Sequence, residues 1–565
     1  MVSVVVVLSL LALGVGYMTY GRWVCGRMGL SQERNTPAHT MGDGVDFVPA
    51  GPSMLMAQHF SAIAAAGPIV GPILAGIWFG WVPALLWIVL GCIFVGGVHD
   101  FAALLASVRH RASSIGEIVR RYMSPTSRTL FLIFVWLTLT YVIIAFTDVT
   151  AQTFKIVANE TDLGPGVAVS SGLYLLIGVG MGVALFRFRV KLWLATAICV
   201  PLVFAAIWAG TALPAEMTQR MQAITVKQWE VGLLAYCFVA ALMPMWLLLQ
   251  PRGYLGGWFL YLTMAVALLG ALFGGFAVQY PAFNLDGLKG LDTGKLLLPG
   301  LFITVACGAC SGFHGIVSAG TTSRQLDREC DARPVGYGAM VLEGGVAVLA
   351  LATVMMLKHG DPALGKDPNV VYANGLARYL GLIGIDTTLA LSFALVAFST
   401  FVYDTLDVCT RLGRYVLEEL LGLRSKTASV AATAATLVLP LIFLMLTKEK
   451  GYLVAWPVFG TTNQLLACLT LLAITMWLAR TGRNPLMALI PMLFMLVVTF
   501  WSLALLILPF VQAIPNLAAV KPDVIVSGVV GILLLALAVW LVIEAVRVAS
   551  TLRRATPEAR ECTGG

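Results

Sequence analysis

Long apolar runs separated by short polar stretches make up almost the whole chain, and the run length sets the element type. A helix rises 1.5 Å per residue, so about 20 apolar residues are needed to cross a hydrocarbon core. On that basis the pattern predicts about 15 transmembrane helices: 3–20, 58–79, 81–108, 128–154, 166–185, 190–211, 229–250, 255–279, 298–320, 335–357, 384–407, 428–447, 454–478, 486–509 and 523–547. The expected fold class is an all-α polytopic membrane protein. Glycine and polar residues interrupt 298–320 and 454–478. The run 58–79 is interrupted differently, since HFSAIAAAGPIVGPILAG carries Gly67-Pro68 and Gly71-Pro72 near its middle. Proline removes a backbone donor and clashes with the preceding turn, so these pairs predict a broken helix. In hydrocarbon a break survives only where protein or a water-filled cavity satisfies the freed backbone groups.

Composition agrees with this pattern. Of 565 residues, 59% are hydrophobic and 11% charged, against roughly 25% charged in a soluble domain. The net charge of +8 does not mark a nucleic-acid partner, because Lys and Arg gather in loops on one side of the membrane. Arg109, Arg111, Arg120, Arg121 and Arg128 form one such group, and Arg324, Arg328 and Arg333 another. The positive-inside rule makes that side cytoplasmic, with the N-terminus outside and the C-terminus inside. The first run lacks a positive n-region and reads as an uncleaved helix, so 1–57 is a first helix plus a cytoplasmic loop. The ten cysteines are scattered. Cys307 and Cys310 lie inside an apolar run without a second pair, which suits packing rather than a metal. No metal or cofactor is expected.

A broken membrane helix exposes N–H groups at one half-helix end and carbonyls at the other, suited to a carboxylate and a cation respectively. Ala65, Ala66, Gly67, Pro68, Gly71 and Pro72 are therefore candidate substrate- or ion-binding positions. Ser311, Gly312, His314, Ser318, Thr321 and Thr322 form a second dense polar stretch whose hydroxyls and carbonyls suit Na⁺ or a hydrogen-bonded substrate. His314 could instead relay a proton, since an imidazole titrates near pH 6.5. Ionisable groups at bilayer depth are rare and usually functional. Asp100 with its neighbour His99, Asp148 and Glu343 are thus coupling candidates, and His59 joins this set at the start of the broken run. Asp404 and Asp407, near the inner end of 384–407, are within helical reach of Arg411 or Arg414 and read as a cytoplasmic latch. Arg252 follows Gln250-Pro251 at the end of 229–250. It is placed either to lock an inner gate against Asp100 or Asp407, or to snorkel at the interface. The polar cluster Gly460–Gln464 suits a scaffold or dimer contact.

Several stretches carry a family resemblance: QHFSAIAAAGPIVGPILAG, GGVHDFAALLASVRHRASSIGEI, MPMWLLLQPRGYL, SGFHGIVSAGTTSRQL with GYGAMVLEG, TLDVCTRLGRY and WPVFGTTNQLLACL. In order and over most of 50–480, they resemble the carbon starvation protein A family. His99 departs from the glutamine typical of that family before Asp100. The resemblance implies a bacterial inner-membrane uptake system for short peptides or pyruvate, induced by nutrient limitation, near transporters with a five-plus-five inverted repeat (LeuT-like). The opposed orientations of 58–79 and 229–250, each with proline inside, give a transport core at 58–407 with halves 58–211 and 229–407, one helix before it and about four after it in 408–565. A second pairing matches 298–320 with 58–79 and leaves 229–279 as an insertion. The expected function is secondary active transport of a small molecule coupled to H⁺ or Na⁺, in a lipid bilayer, with a homo-oligomer compatible. A channel or a nutrient sensor is the alternative. No G-x-x-x-x-G-K-[ST] pattern is present for ATP drive, and no HExxH for a metalloprotease. An enzyme is not expected.

Overall fold

The computed structural model describes residues 1–552 except 45, 65, 159–160, 285–296, 424, 448–451 and 516–521. Helices carry nearly all of it, and the one sheet among the described residues is a two-residue ribbon, Val157–Ala158 against Thr161–Asp162. In chain order the main helices begin with α1 (Val2–Met28), α2 (Pro52–Ile63), α3 (Gly67–Phe79), α4 (Trp81–Arg109) and α5 (Ile115–Tyr122). Next come α6 (Pro125–Thr153), α7 (Gly164–Phe186), α8 (Leu192–Thr211), α9 (Val226–Leu242) and α10 (Leu249–Phe273). They continue with α11 (Leu297–Thr304), α12 (Gly312–Gly320), α13 (Glu329–Met355) and α14 (Pro368–Gly381). The last are α15 (Thr387–Leu421), α16 (Lys426–Leu446), α17 (Tyr452–Arg480), α18 (Leu486–Ala513) and α19 (Pro522–Leu552).

Among the described residues, 12 helices are long and apolar enough to cross a membrane, or 13 if the bent pair α2–α3 is one span. The chain is thus a multi-pass membrane protein, and the expected count of about 15 is too high by this measure. Two of the expected runs fall short. The run 229–250 is α9, only 17 residues, because Met243 turns extended (φ −70°, ψ 149°) ahead of Pro244. A residue before proline is pushed out of the helical region, so the chain unwinds there and restarts at Leu249. The run 298–320 divides into α11 and α12, eight and nine residues long.

The break between α2 and α3 also differs from the expectation. The chain leaves the helix at Ala64 (φ −84°, ψ 57°), ahead of both Gly-Pro pairs. Pro68 occupies the first turn of α3, where its missing N–H has no helical partner to lose, and Pro72 lies inside the helix.

Burial separates a centre from a rim. The apolar window of α15 and that of α17 are each 94% enclosed by protein, whereas those of α18 and α19 are each 28% enclosed. The rim helices turn apolar side chains such as Leu493 and Val497 outward, as a lipid-facing surface requires. Two stretches repeat one order of elements. Each has a broken pair (α2–α3, α11–α12), then a span containing a π-helical turn (Cys92–Gly96 in α4, Arg333–Gly338 in α13). Each continues with a shorter helix (α5, α14) and a long one (α6, α15). The two long helices pack side by side, α3 lies on α13, and α12 lies on α4.

Candidate functional site

The two broken pairs meet at the centre of the bundle. Gly67 of α3 faces the Cys307 side chain, and Gly71 faces the Thr304 carbonyl, so a Cβ at either position would collide. These glycines therefore let two backbones approach closely. The groups freed by the second break are met by protein. The Trp87 indole donates to the Val305 carbonyl at 3.0 Å, the Cys92 thiol to the Gly308 carbonyl at 3.1 Å, and Gln464 to the Phe302 carbonyl at 2.8 Å. Asn463 Oδ1 accepts the Phe313 N–H at 2.9 Å and the Ser311 hydroxyl at 3.2 Å. At the first break the Thr405 hydroxyl donates to the Ala62 carbonyl at 3.1 Å, and the Ala66 carbonyl accepts the Val70 N–H at 2.8 Å. Ala65 lies outside the described residues. Asn463 and Gln464 belong to the polar cluster read above as scaffold or dimer contact; the structure sets both against the second broken pair. Their signal was visible as polar residues in an apolar run.

Beside this junction lies a chain of imidazoles and carboxylates, all without exposure. His99 Nδ1 lies 2.7 Å from Asp100 Oδ1, and His314 Nδ1 lies 2.8 Å from Asp100 Oδ2. The other nitrogen of His314 is 3.2 Å from Glu343 Oε2. Helices α4, α12 and α13 thus contribute one residue or two each, and His314 spans two acids. His59 of α2 reaches the Thr322 hydroxyl through Nδ1 at 2.8 Å. Several polar atoms in this group have no hydrogen-bond partner: His59 Nε2, His99 Nε2, His314 Nε2, both Glu343 oxygens and Ser318 Oγ. Asp148 sits in a different polar group on α6, accepting from Gln152 at 3.1 Å. Thr321 donates to the Val317 carbonyl of its own helix at 3.0 Å.

Arg252 organises a second cluster. It is fully buried in the first turn of α10, so neither the interfacial snorkelling reading nor a place at the end of 229–250 holds. Its Nε donates to Asp404 Oδ1 at 2.6 Å, its Nη1 bonds Asp407 and the Tyr236 hydroxyl, and its Nη2 reaches the Tyr403 carbonyl at 3.4 Å. Tyr236 donates to Asp407 at 2.7 Å, and Ser61 of α2 bonds the other oxygen of Asp404. The Arg252 carbonyl in turn accepts the Tyr174 hydroxyl at 2.7 Å. The contact between Arg252 and Asp407 is present; the pairing of the two aspartates with Arg411 or Arg414 is not. Arg411 instead donates to the carbonyls of Ala240 and Met243 at 3.1 and 2.5 Å, closing groups freed where α9 unwinds, and Arg414 lies 3.9 Å from Glu418. Because α15 continues to Leu421, Asp404 and Asp407 lie mid-helix rather than at its inner end.

Between the two clusters is a cavity of about 10 Å³ bounded by Gln58, His59, Thr321, Thr322 and Asp404, room for about one water. A larger vestibule of about 480 Å³ opens among Arg111, Arg128, Arg324 and Glu419, with Ile316 and Gly320 of α12 in its wall. It has the size of a small-molecule pocket and lies on the arginine-rich side.

Comparison with known proteins gives a consistent result. The family model described as Carbon starvation protein CstA matches residues 1–364 and 363–502. A Helicobacter pylori relative named Peptide transporter CstA is 31% identical, over 89% of this chain and 82% of its own. An Escherichia coli relative named Pyruvate/proton symporter BtsT is 29% identical, over 89% of this chain and 81% of its own. A variant of the Eremococcus coleocola manganese transporter matches at a TM-score of 0.42 and 14% identity, covering 90% of this chain and 99% of that one, too distant a likeness to argue from.

Proposed function

This chain belongs to the carbon starvation protein CstA family, and we propose on that premise that it is a proton-driven importer of short peptides or small carboxylates such as pyruvate, working by alternating access. The observation that carries the proton is the place of His314 between two acids, bonded to Asp100 at 2.8 Å and 3.2 Å from Glu343, with His99 and His59 nearby. Histidine is the side chain whose unperturbed charge changes between pH 5 and 8, and buried acid–histidine chains in membrane proteins mark proton relays. Sodium, a hard cation, calls for a shell of oxygen ligands. In this chain an imidazole nitrogen stands between every two carboxylates, which favours H⁺ over Na⁺. The relative named as a pyruvate/proton symporter supports the same ion, and the relative named as a peptide transporter supports the peptide branch.

The repeated order of elements supports an inverted-repeat core of the LeuT-like kind. It favours the second of the two pairings, with α2–α3 matched to α11–α12, because the same succession of elements starts at each broken pair. Substrate would sit where the broken pairs meet and be exchanged through the arginine-lined vestibule, whose guanidinium groups suit a carboxylate. The vestibule then opens to the cytoplasm of a bacterial inner membrane. With only about 10 Å³ open between the clusters, the conformation is a closed one.

Uptake of labelled dialanine and pyruvate by reconstituted protein, under separately imposed H⁺ and Na⁺ gradients, tests this. Accumulation above equilibrium under the H⁺ gradient alone is expected for at least one substrate. Accumulation driven by Na⁺ alone overturns the proton assignment, and equilibration of both substrates under both gradients overturns the substrate class.

A further inference from the structure

Where α1, α4 and α18 come together, the surface opens into an apolar groove of about 1060 Å³ walled by Trp23, Leu90, Phe94, Ile490 and Phe494. Leu90 is 50% and Ile490 63% exposed, so the groove faces outward to the bilayer. A polar pocket of about 290 Å³ adjoins it, lined by Arg34, Arg109, Arg121 and Arg483 with His110. Arg483 lines both spaces, so the apolar groove and the cationic pocket meet at this side chain.

The charge in this pocket is not balanced by the protein. The carboxylate that reaches into the arginine group is Glu329, and Arg34 at 2.7 Å and Arg109 at 2.5 Å both bond it. Arg109 is nine-tenths buried, with a 9% exposed side chain, and its Nη1 has no hydrogen-bond partner. A buried guanidinium N–H without an acceptor is costly, and such a group in a native structure points to a missing partner. Arg121 makes no ion pair among the described residues and lies against the Tyr122 ring, while Arg483 gives one nitrogen to the Met28 carbonyl at 2.9 Å. Burial holds His110 below the ordinary imidazole range, against a hydrogen bond to the Ala106 carbonyl that acts the other way.

We propose that this composite space binds one anionic phospholipid, its phosphate among Arg109, Arg121 and Arg483 and an acyl chain along the groove. The two halves of the space exclude the simpler occupants. A free phosphate has no use for the groove, and a zwitterionic lipid leaves the excess positive charge uncompensated. Basic pockets between membrane helices, at the cytoplasmic level, take anionic headgroups for this reason. The site lies apart from the two buried clusters and adds a lipid requirement to the transport reading without depending on it.

Melting of the purified full chain in detergent tests the assignment, with dioleoylphosphatidylglycerol, dioleoylphosphatidylcholine or glycerol 3-phosphate added in turn. Phosphatidylglycerol should raise the melting temperature in a saturable way, and the other two should leave it unchanged. Arg121→Gln and Arg483→Gln should each weaken the phosphatidylglycerol response by about fivefold in half-saturating concentration. Leu90→Trp, which fills the groove, should weaken it too. All three should melt like the parent without lipid. An equal response to phosphatidylcholine overturns the headgroup site. An equal response to glycerol 3-phosphate overturns the lipid as occupant, and no response to phosphatidylglycerol overturns the proposal entirely.

Discussion

The Arg252 cluster and the His314 cluster are both buried, both charged and both in contact with α2, yet they are finished to different degrees. Every guanidinium nitrogen of Arg252 has an acceptor, and of its partners' oxygens only Asp407 Oδ1 is left over. In the His314 group the far nitrogens of His59 and His99, both oxygens of Glu343 and the Ser318 hydroxyl have none. A buried polar group without a partner costs about 1–3 kcal/mol, so several together on one cluster call for an explanation. A saturated ion-pair cluster holds helices in one arrangement. An unsaturated one has room to gain and lose a proton or to change partners. The comparison sets Arg252 in the joint between α10 and α15 and leaves His314 as the candidate for the proposed coupling step.

Breaking the joint should have the largest effect. Arg252→Met removes the cation and leaves Asp404 and Asp407 buried without it, which should cost about 3–5 kcal/mol. The variant should melt far below the parent or fail to accumulate in the membrane. Neutralising the partners as well, with Asp404→Asn and Asp407→Asn, should recover most of that loss, because the cost lies in the uncompensated charges rather than in the missing attraction. A single variant that melts like the parent removes the distinction between the clusters.

Asp100→Asn comes next and sharpens the contrast from the other side. It weakens two hydrogen bonds to His99 and His314, so a loss of about 1–3 kcal/mol is expected, less than at Arg252. Its main effect should be on coupling: gradient-driven accumulation falls to equilibration while substrate counterflow persists. Accumulation equal to the parent's excludes Asp100 from the proton path. Loss of counterflow together with accumulation makes it part of substrate binding instead.

How much of this contrast was legible in the sequence depends on the range of the interaction. Apolar run length needs only local information, and it placed most of the spans. The break near Gly67-Pro68 was likewise foreseeable, although the chain unwinds at Ala64 and the prolines are absorbed into α3. The purpose of the glycines was not, since it depends on Thr304 and Cys307 being opposite them. Helical spacing pointed Asp404 and Asp407 to Arg411, seven and four positions on, or to Arg414. The cation that binds them is 152 and 155 positions away, and Arg411 is occupied by carbonyls freed at the Pro244 break. Asp100, His314 and Glu343 each stood out as ionisable groups in apolar runs. Their convergence on one imidazole, across 214 positions in the Asp100–His314 case, is a property of the packing of α4, α12 and α13.

The smallest effects on stability should come from the atoms that have no partner, and they test the contrast most finely. The one polar contact given for Glu343 is His314 Nε2 at 3.2 Å, without hydrogen-bond geometry, so Glu343→Gln, which keeps the side-chain shape, should change stability by about 1 kcal/mol or less. If His314 passes a proton to this acid, however, the amide cannot receive it. Accumulation should then lose its response to the imposed pH gradient while the protein melts almost as before. Ser318→Ala removes a hydroxyl that is likewise unpartnered and should shift stability by no more than about 0.5 kcal/mol. Because Ser318 lies on α12 one turn beyond His314, transport separates two roles for it. Parent-like uptake makes the hydroxyl a passive occupant of the junction. A raised half-saturating substrate concentration with the proton response intact makes it a substrate contact, placing the binding site next to the proton relay and not within the Arg252 joint.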